Sequence, residues 1–354
     1  MDTITHAMFG ALASQCIKGK TPTGKKDSID YVPLAVTTFA AAFPDCDYLL
    51  FPINPLVFLD EWHRSFTHSL VLLPVWTILL TAIIVLLFPG LRKQTVRISG
   101  YVALGLVTHI LLDLLTVYGT KVFYPLSSRT YSTGTTFVID PYLSMIVLVG
   151  LVTSLLYKPR NTAMICISVV CLYVMFQWHL KLQARDAGLA RIDQRDTVTT
   201  RTVALPQPFS PFHWRVINKK NNHYSTTLID LSGFSEKLLR WEATVPFIEL
   251  ISAYRPVDRA EWETFSKFGN QPDELRLSQI VWQHNDFANF RNFAQFPILY
   301  RIDHDDRETC VWFSDLRYHI SIMLPSFRYG MCHSRENPDW TLYRLKYFSN
   351  ERDN

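Results

Sequence analysis

Several histidines and aspartates lie within or at the ends of the apolar segments of this 354-residue chain. His109 and Asp113 fall in one apolar run and are four residues apart, so a helix would carry both on the same face. Ionisable side chains cost several kcal/mol in a membrane segment, and they are therefore candidates for function. An H-x-x-x-D pair is typical of half a metal site, although a hydrogen bond joining two helices would explain it equally well.

Six more side chains of the same types lie near the ends of other apolar segments. The predicted metal ligands are His6, Asp45, Asp47, His63, His68, His109, Asp113 and Asp140. Histidines and carboxylates without a C-x-x-C pattern suit Zn²⁺, with Mn²⁺ as the alternative. A typical catalytic zinc has three protein ligands, so this set suffices for two ions or for one ion with a surrounding shell of carboxylates.

Hydrolysis is the chemistry that such a site favours. A bound divalent ion lowers the pKa of its water to about 7 and polarises a carbonyl or phosphoryl oxygen. The candidate bases are Asp45, Asp47 and Glu61, and the sequence does not choose among them.

Cationic and hydroxyl groups near these residues indicate an anionic substrate, with a phosphoester slightly favoured. Arg64 lies between two predicted ligands, and we assign it a catalytic and a substrate-binding role. Arg129 and Tyr131 lie in the loop 119–135 and are further candidates for substrate binding, together with Lys121. Anchoring of helix ends at lipid headgroups is the alternative for these cations, and for Lys121 it is equally plausible.

The elements that must position these residues are membrane helices. Residues 69–88 carry no charge and, at about 1.5 Å per residue, can cross a hydrocarbon core of about 30 Å. Three comparable segments and two shorter ones are also present: 98–118, 136–157, 161–180, 3–17 and 31–43. Residues 1–180 are therefore predicted to form an α-helical polytopic membrane bundle with about six membrane segments, the first two short. Interfacial or core helices are the alternative for the short pair.

Lysine and arginine positions predict the orientation, because positive loops stay in the cytoplasm. If all six segments cross, one side of the membrane collects three basic groups: Lys18, Lys20, Lys25 and Lys26; Arg92, Lys93 and Arg97; Lys158 and Arg160. The opposite side holds residues 44–68, 119–135 and everything after 180. The candidate ligands then share one layer near the extracytoplasmic surface of a bacterial inner membrane.

Residues 181–354 have a different composition, with frequent charges and short stretches rich in β-branched and aromatic residues. They predict an α+β extracytoplasmic domain. Cys310 and Cys332 can form a disulfide there if the compartment is oxidising. The net charge of +4 is too small and too scattered for a nucleic-acid-binding protein. The expected partners are the lipid bilayer and a small-molecule or lipid substrate.

A non-enzymatic transporter, or a lipid- or metal-binding protein, is the competing interpretation, with the His/Asp layer relaying protons. The polar layer lies near one surface, and the predicted cytoplasmic halves of the segments carry almost no ionisable residue, which favours an enzyme. A zinc protease of the H-E-x-x-H class is not supported, because that motif is missing.

The order of these motifs resembles the bacterial inner-membrane metal-dependent hydrolases typified by the LexA-regulated YdjM protein. The segments that carry the resemblance are Met1–Ala7, Phe43–Asp47, His63–Ser69, Thr108–Asp113, Tyr118–Thr120, Tyr124–Ser132 and Ile139–Pro141, followed by Pro206–Val216 and Ser314–Tyr318. The resemblance implies a membrane-bound metal-dependent hydrolase with His6, Asp45, His63, His68, His109 and Asp113 as ligands. It implies little about the substrate.

Overall fold

Two compact units make up the chain, Met1–His179 and Leu180–Asn354. The computed structural model describes residues 1–17, 31–157, 159–192, 201–233, 251–304, 308–320, 323–334 and 339–353. Five lysines used in the orientation argument, at positions 18, 20, 25, 26 and 158, lie outside the described residues.

Helices form the first unit. They are α1 Thr3–Gln15, α2 Tyr31–Ala42, α3 Pro55–Val57, α4 Leu73–Leu87, α5 Thr95–Asp113, α6 Pro141–Leu156 and α7 Pro159–Ala190, the last of which continues into the second unit. Proline occupies one of the first two positions of α3, α4 and α6, where its missing N–H costs no helical hydrogen bond. Short 3₁₀ helices at Phe43–Leu50 and Phe66–His68 carry several of the predicted ligands.

Two helical stretches among the described residues, Pro89–Asp113 and Arg160–Ala190, are long and apolar enough to cross a membrane. A third candidate is the pair Pro55–His68 and Leu73–Leu87, which is bent by 71°. The other apolar helices are shorter. With 13 and 12 described residues, α1 and α2 reach only about 20 Å against a core of about 30 Å. The structure therefore provides two or three candidate spans, fewer than the six predicted.

Glycines bring α2 into close contact with its two neighbours. A Cβ atom at Gly10 of α1 would lie 2.4 Å from Ala41 Cβ, and one at Gly105 of α5 would lie 2.7 Å from the Thr37 carbonyl oxygen. Small residues at such contacts let helix backbones approach closely in a membrane. The end of α2 is consequently held between the helix that carries His6 and the helix that carries His109.

Apolar side chains hold the remaining helices around these three. Leu12 of α1 packs with Leu143 and Val147 of α6 and with Cys166 of α7. On the other side, a second buried cluster joins residues of α2, α4 and α5: Val36, Ala40, Leu80, Ile84, Ile98, Tyr101, Val102 and Leu106.

Two antiparallel sheets form the second unit. The first has the order β1 Arg201–Pro206, β2 His213–Lys220, β3 His223–Asp230 and β4 Glu263–Ser266. The second has the order β5 Pro297–His304, β6 Glu308–Asp315, β7 Tyr329–Ser334, β8 Thr341–Leu345 and β9 Arg352–Asp353. Two helices, α8 Pro272–Gln283 and α9 Ala288–Phe293, complete the described part of the unit. Cys310 and Cys332 lie opposite each other on β6 and β7 and form a disulfide.

Candidate metal centre

The start of α1 positions His6. Asp2 caps this helix, and its carboxylate accepts hydrogen bonds from the Thr5 amide at 2.9 Å and the Thr5 hydroxyl at 2.7 Å. His6 follows within the first turn and is completely buried. Its Nε2 atom lies 3.1 Å from Asp113 Oδ1, at the end of α5.

His68 and His109 meet in the same buried place. Their Nε2 atoms are 2.9 Å apart, and both side chains are completely buried. The Nδ1 atom of His109 lies 2.6 Å from the Ala41 carbonyl oxygen. Because a carbonyl oxygen only accepts, Nδ1 must carry the proton, and in the neutral ring the Nε2 lone pair is left for an electrophile.

Two carboxylates face these imidazoles. Asp113 Oδ2 is 3.2 Å from His68 Nε2 and 3.5 Å from His109 Nε2, and Asp45 Oδ1 is 3.6 Å from His109 Nε2. The hydroxyl of Thr3 donates to the other oxygen of Asp45 at 2.5 Å. The His6 ring stacks on the His109 ring with a centroid separation of 3.7 Å.

The donor atoms fit a divalent ion. Two sets, His6 with Asp45 and His109, and His68 with His109 and Asp113, each have ligand atoms within 4.8 Å of one another. Tetrahedral zinc with bonds of about 2.0–2.1 Å holds two nitrogens about 3.3 Å apart, close to the His68–His109 separation. Within the described residues, His6 Nδ1 and Asp113 Oδ2 are buried without a hydrogen bond. Buried polar atoms usually have partners, so these two call for a ligand.

Asp47 and His63 form a separate pair beside this cluster. The two carboxylate oxygens of Asp47 lie 3.2 Å from His63 Nδ1, and Oδ2 also accepts from the Arg64 amide at 3.2 Å. An ionised carboxylate only accepts, so His63 donates through Nδ1. Both residues were predicted as metal ligands, yet neither belongs to either of the two sets.

Arg64 is buried and is held by the protein itself. Its guanidinium forms an ion pair with Asp113 Oδ1 at 2.8 Å and donates to the Thr116 hydroxyl at 2.6 Å. The backbone of Arg64 has a φ of 54°, a left-handed conformation that residues other than glycine rarely adopt. The amine of Met1 also contacts Asp113 Oδ1, and Oδ2 faces His68 and His109. Arg64 therefore neutralises and orients Asp113.

Four other predicted residues lie apart from the cluster. Glu61 and Arg129 are exposed, and the Arg129 guanidinium lies 5.4 Å from the centre of the Tyr131 ring. Asp140 caps α6, with its Oδ1 accepting from the amides of Tyr142 and Leu143 at 3.0 Å. Its other oxygen accepts from the Tyr173 hydroxyl at 2.9 Å. Asp140 is in neither candidate ligand set, and its carboxylate accepts hydrogen bonds at the start of α6 instead.

Threonines precede three of the histidines, and no role was predicted for them. The Thr5 hydroxyl donates a hydrogen bond to the Asp2 carboxylate, and the Thr67 hydroxyl lies 2.9 Å from His68 Nδ1. The Thr108 hydroxyl donates to the Gly105 carbonyl at 2.8 Å. The recurrence of the Thr-His dipeptide at positions 5–6, 67–68 and 108–109 was the available signal. The contact between the Ala41 carbonyl and His109 has no sequence signal, because any residue has a carbonyl.

Comparison with known proteins agrees with this architecture. The model of the YdjM inner membrane protein family matches residues 1–184, which is more than half of the chain. The chain belongs to the YdjM inner membrane protein family. The matched residues include every member of the two candidate ligand sets described above. The predicted membership in the YdjM family and the inner-membrane character are thereby confirmed.

The chain is also similar to a curated bacterial protein. An uncharacterized protein, YfhP of Bacillus subtilis (strain 168), is 26% identical over 143 residues. That region is 40% of this chain and 43% of the relative, so the chain spans less than half the length of that protein. No solved structure matches this YdjM-family chain.

Proposed function

We propose that this YdjM-family protein is a membrane-bound metal-dependent hydrolase. The observation that carries the proposal is the meeting of three histidines and two aspartates from α1, α5 and the two 3₁₀ helices in one buried cluster. Such a buried set of ionisable groups is costly unless its members are paired or bind a metal. The ligands are His6, Asp45, His68, His109 and Asp113, and Zn²⁺ is the preferred ion, with one or two bound and Mn²⁺ as the alternative.

The ion, when bound, supplies an acidic water and an electrophile for a carbonyl or phosphoryl oxygen. The protein residues orient the ligands and move the proton. Asp47 holds His63 through Nδ1, so His63 Nε2 is the nitrogen left to accept a proton. This Asp–His pair replaces Asp47 alone as the proposed base, with Asp45 as the alternative. Glu61 is not preferred, because its side chain is exposed. The substrate is a phosphoester or a lipid-like ester that reaches the site from the bilayer.

The membrane arrangement of the proposed enzyme has six crossing segments, with α1 and α2 as short crossings sheltered by α5 and α6. Residues after 180 are extracytoplasmic. Two observations support this side: the grouping of lysines and arginines in the opposite loops, and the disulfide between Cys310 and Cys332, which is typical of oxidising compartments.

Metal content tests the proposal directly. Protein purified in detergent and analysed by elemental mass spectrometry should contain at least one divalent ion per chain. His68→Ala and Asp113→Asn should lose most of it, because each removes a facing ligand, whereas Asp140→Asn should keep it, since Asp140 caps α6. Less than one ion in the native protein, or equal content in all variants, would refute the metal site.

A turnover screen of metal-loaded protein against membrane lipids and phosphoesters then tests the hydrolase. The expected result is release of a product by native protein and by Glu61→Gln, and no release by Asp113→Asn. Metal-dependent flux across proteoliposomes without turnover would instead support the transporter.

A further inference from the structure

A cavity in the second unit lies on one face of the first sheet and is distinct from the metal cluster. Its volume is about 310 Å³. The strand register places Arg215 of β2 opposite Leu228 of β3, so these two side chains and that of Thr226 share the face that lines the cavity. Glu263 and Phe265 of β4 extend this face, and His319 closes one side.

Arg215 is a buried cation that forms no direct ion pair in the described part of the chain. The residue is 5% exposed, and its terminal nitrogens donate to the His319 carbonyl at 3.0 Å and to the Thr226 hydroxyl at 3.4 Å. Its Nε has no hydrogen bond, and no carboxylate among the described residues forms an ion pair with it. A buried charge without an ion-pair partner is energetically unfavourable unless an anion binds next to it.

Among the described residues, none of the other ionisable groups around the cavity forms an ion pair with Arg215. Arg255 is matched by Glu261, with 3.8 Å between Nε and Oε1. Burial lowers the pKa of His319 to about 3, so its ring is neutral, and its Nε2 lies 2.8 Å from the Ser314 hydroxyl oxygen. Glu263 is exposed and acts on Arg215 only through space.

We propose that this cavity binds a ligand with a single carboxylate group, anchored by the Arg215 guanidinium. A guanidinium donates to a carboxylate in a planar, paired geometry, and the two hydrogen bonds given above engage only two of the five N–H groups of Arg215. A dianionic phosphate is a poorer match, because Glu261 and Glu263 also line the cavity. Leu228, Phe265 and Ile320 supply apolar surface for the rest of the ligand.

One segment noted in the sequence lines this cavity, and a second contacts the lining residue His319. Arg215 belongs to the segment Pro206–Val216, and Ser314, which holds His319, begins the segment Ser314–Tyr318. The proposed hydrolase uses neither segment, so the carboxylate site stands or falls independently of the metal cluster.

Titration of the full-length protein in detergent with butyrate, acetate and inorganic phosphate tests the proposal, with heat of binding as the readout. We expect saturable binding of butyrate, weaker binding of acetate, and none of phosphate. Arg215→Met should weaken butyrate binding roughly tenfold or more, because it removes a charge-assisted hydrogen bond. Arg276→Met, which removes an exposed arginine on α8, should bind butyrate as the native protein does.

Circular dichroism and an intact Cys310–Cys332 disulfide establish that each variant is folded. Arg215→Lys provides a second test if Arg215→Met does not fold, because it keeps a charge but loses the planar donor pair and should bind butyrate more weakly than native protein. The proposal is overturned if native protein does not bind butyrate, if phosphate binds more tightly, or if the folded Arg215 variant binds butyrate as well as native protein does.

Discussion

Individual carboxylates in the membrane unit are distinguished by what they contact. Asp113 and Asp45 face imidazole nitrogens across the cluster. Asp47 accepts a hydrogen bond from His63, and Asp140 accepts hydrogen bonds from backbone amides at the start of α6. Residue type and position predicted all four as metal ligands, with Asp45 and Asp47 also as candidate bases. The contacts divide them into proposed ligands, a positioning group and a helix cap.

Asp47→Asn tests the proposed positioning role. Asparagine keeps the size of the side chain but loses the negative charge that holds the Nδ1 proton of His63, so the proton-accepting form of the ring is less favoured. We expect turnover of the substrate found in the screen to fall about a hundredfold or more, with metal content unchanged. Rates and metal content are measured on the same preparations.

Glu61→Gln is the matched control, because it removes a nearby acidic group that is exposed. It should retain the native rate. Loss of bound metal from Asp47→Asn would show that Asp47 is itself a ligand and would contradict the positioning role.

Much of the candidate site was predictable at this scale. Five of the eight predicted ligands lie in the two candidate sets, because ionisable residues are costly in apolar segments and are retained there mainly where they pair or bind. The role of Arg64 was not predictable, since a guanidinium that contacts substrate and one that neutralises a buried aspartate look the same in a sequence. The ion pair with Asp113 depends on contacts that the sequence spacing does not give.

At the scale of elements, the position of α2 depends on two glycines. A side chain at Gly105 would meet the Thr37 carbonyl and Ala40, and Gly100 on the same helix has open space. The packing of α2 against α5 also places the Ala41 carbonyl against His109. A change at this contact should therefore affect both stability and the metal cluster.

Gly105→Ala should displace α2 and destabilise the protein by about 1–3 kcal/mol, as overpacking typically does. It should also weaken metal binding. Gly100→Ala is the matched control and should leave the melting temperature unchanged or raise it, because alanine favours a helix over glycine. Thermal unfolding and metal titration of the two variants provide the comparison, and equal behaviour would contradict the close-contact argument.

Element prediction succeeded for the long apolar segments and was less accurate for the breaks between them. The run at 69–88 predicts a membrane helix, and the structure places α4 at Leu73–Leu87 within it. The bend of 71° that separates α4 from Pro55–His68 was not predicted. Hydropathy indicates whether a segment lies in lipid or in water, but not the direction in which it runs. A bend between two apolar helices therefore leaves no signal in the hydropathy. In the second unit, composition predicted an α+β domain, but the pairing of strands into two sheets depends on contacts distant in sequence.

At the scale of the whole molecule, orientation is the property most open to test. In a chain with its native cysteines replaced, Asn270→Cys lies at an exposed position of the second unit, and Gly90→Cys lies at an exposed position next to Arg92 and Lys93. The positive-inside rule places the two on opposite sides of the membrane. A membrane-impermeant maleimide should label Asn270→Cys in intact spheroplasts and Gly90→Cys only after lysis. The reverse pattern, or labelling of both before lysis, would refute the proposed topology.

The hydrogen bond from His109 Nδ1 to the Ala41 carbonyl, in the last turn of α2, fixes the tautomer of the imidazole. NMR spectroscopy can observe this tautomer. With the proton fixed on Nδ1, the two ring nitrogens should give separate ¹⁵N resonances, one of the protonated type and one of the bare type. The Nδ1 proton is shielded from water by the Ala41 carbonyl and should exchange slowly with deuterium. Addition of metal should then shift the Nε2 resonance and leave the slow proton in place, which makes His109 a built-in reporter of occupancy.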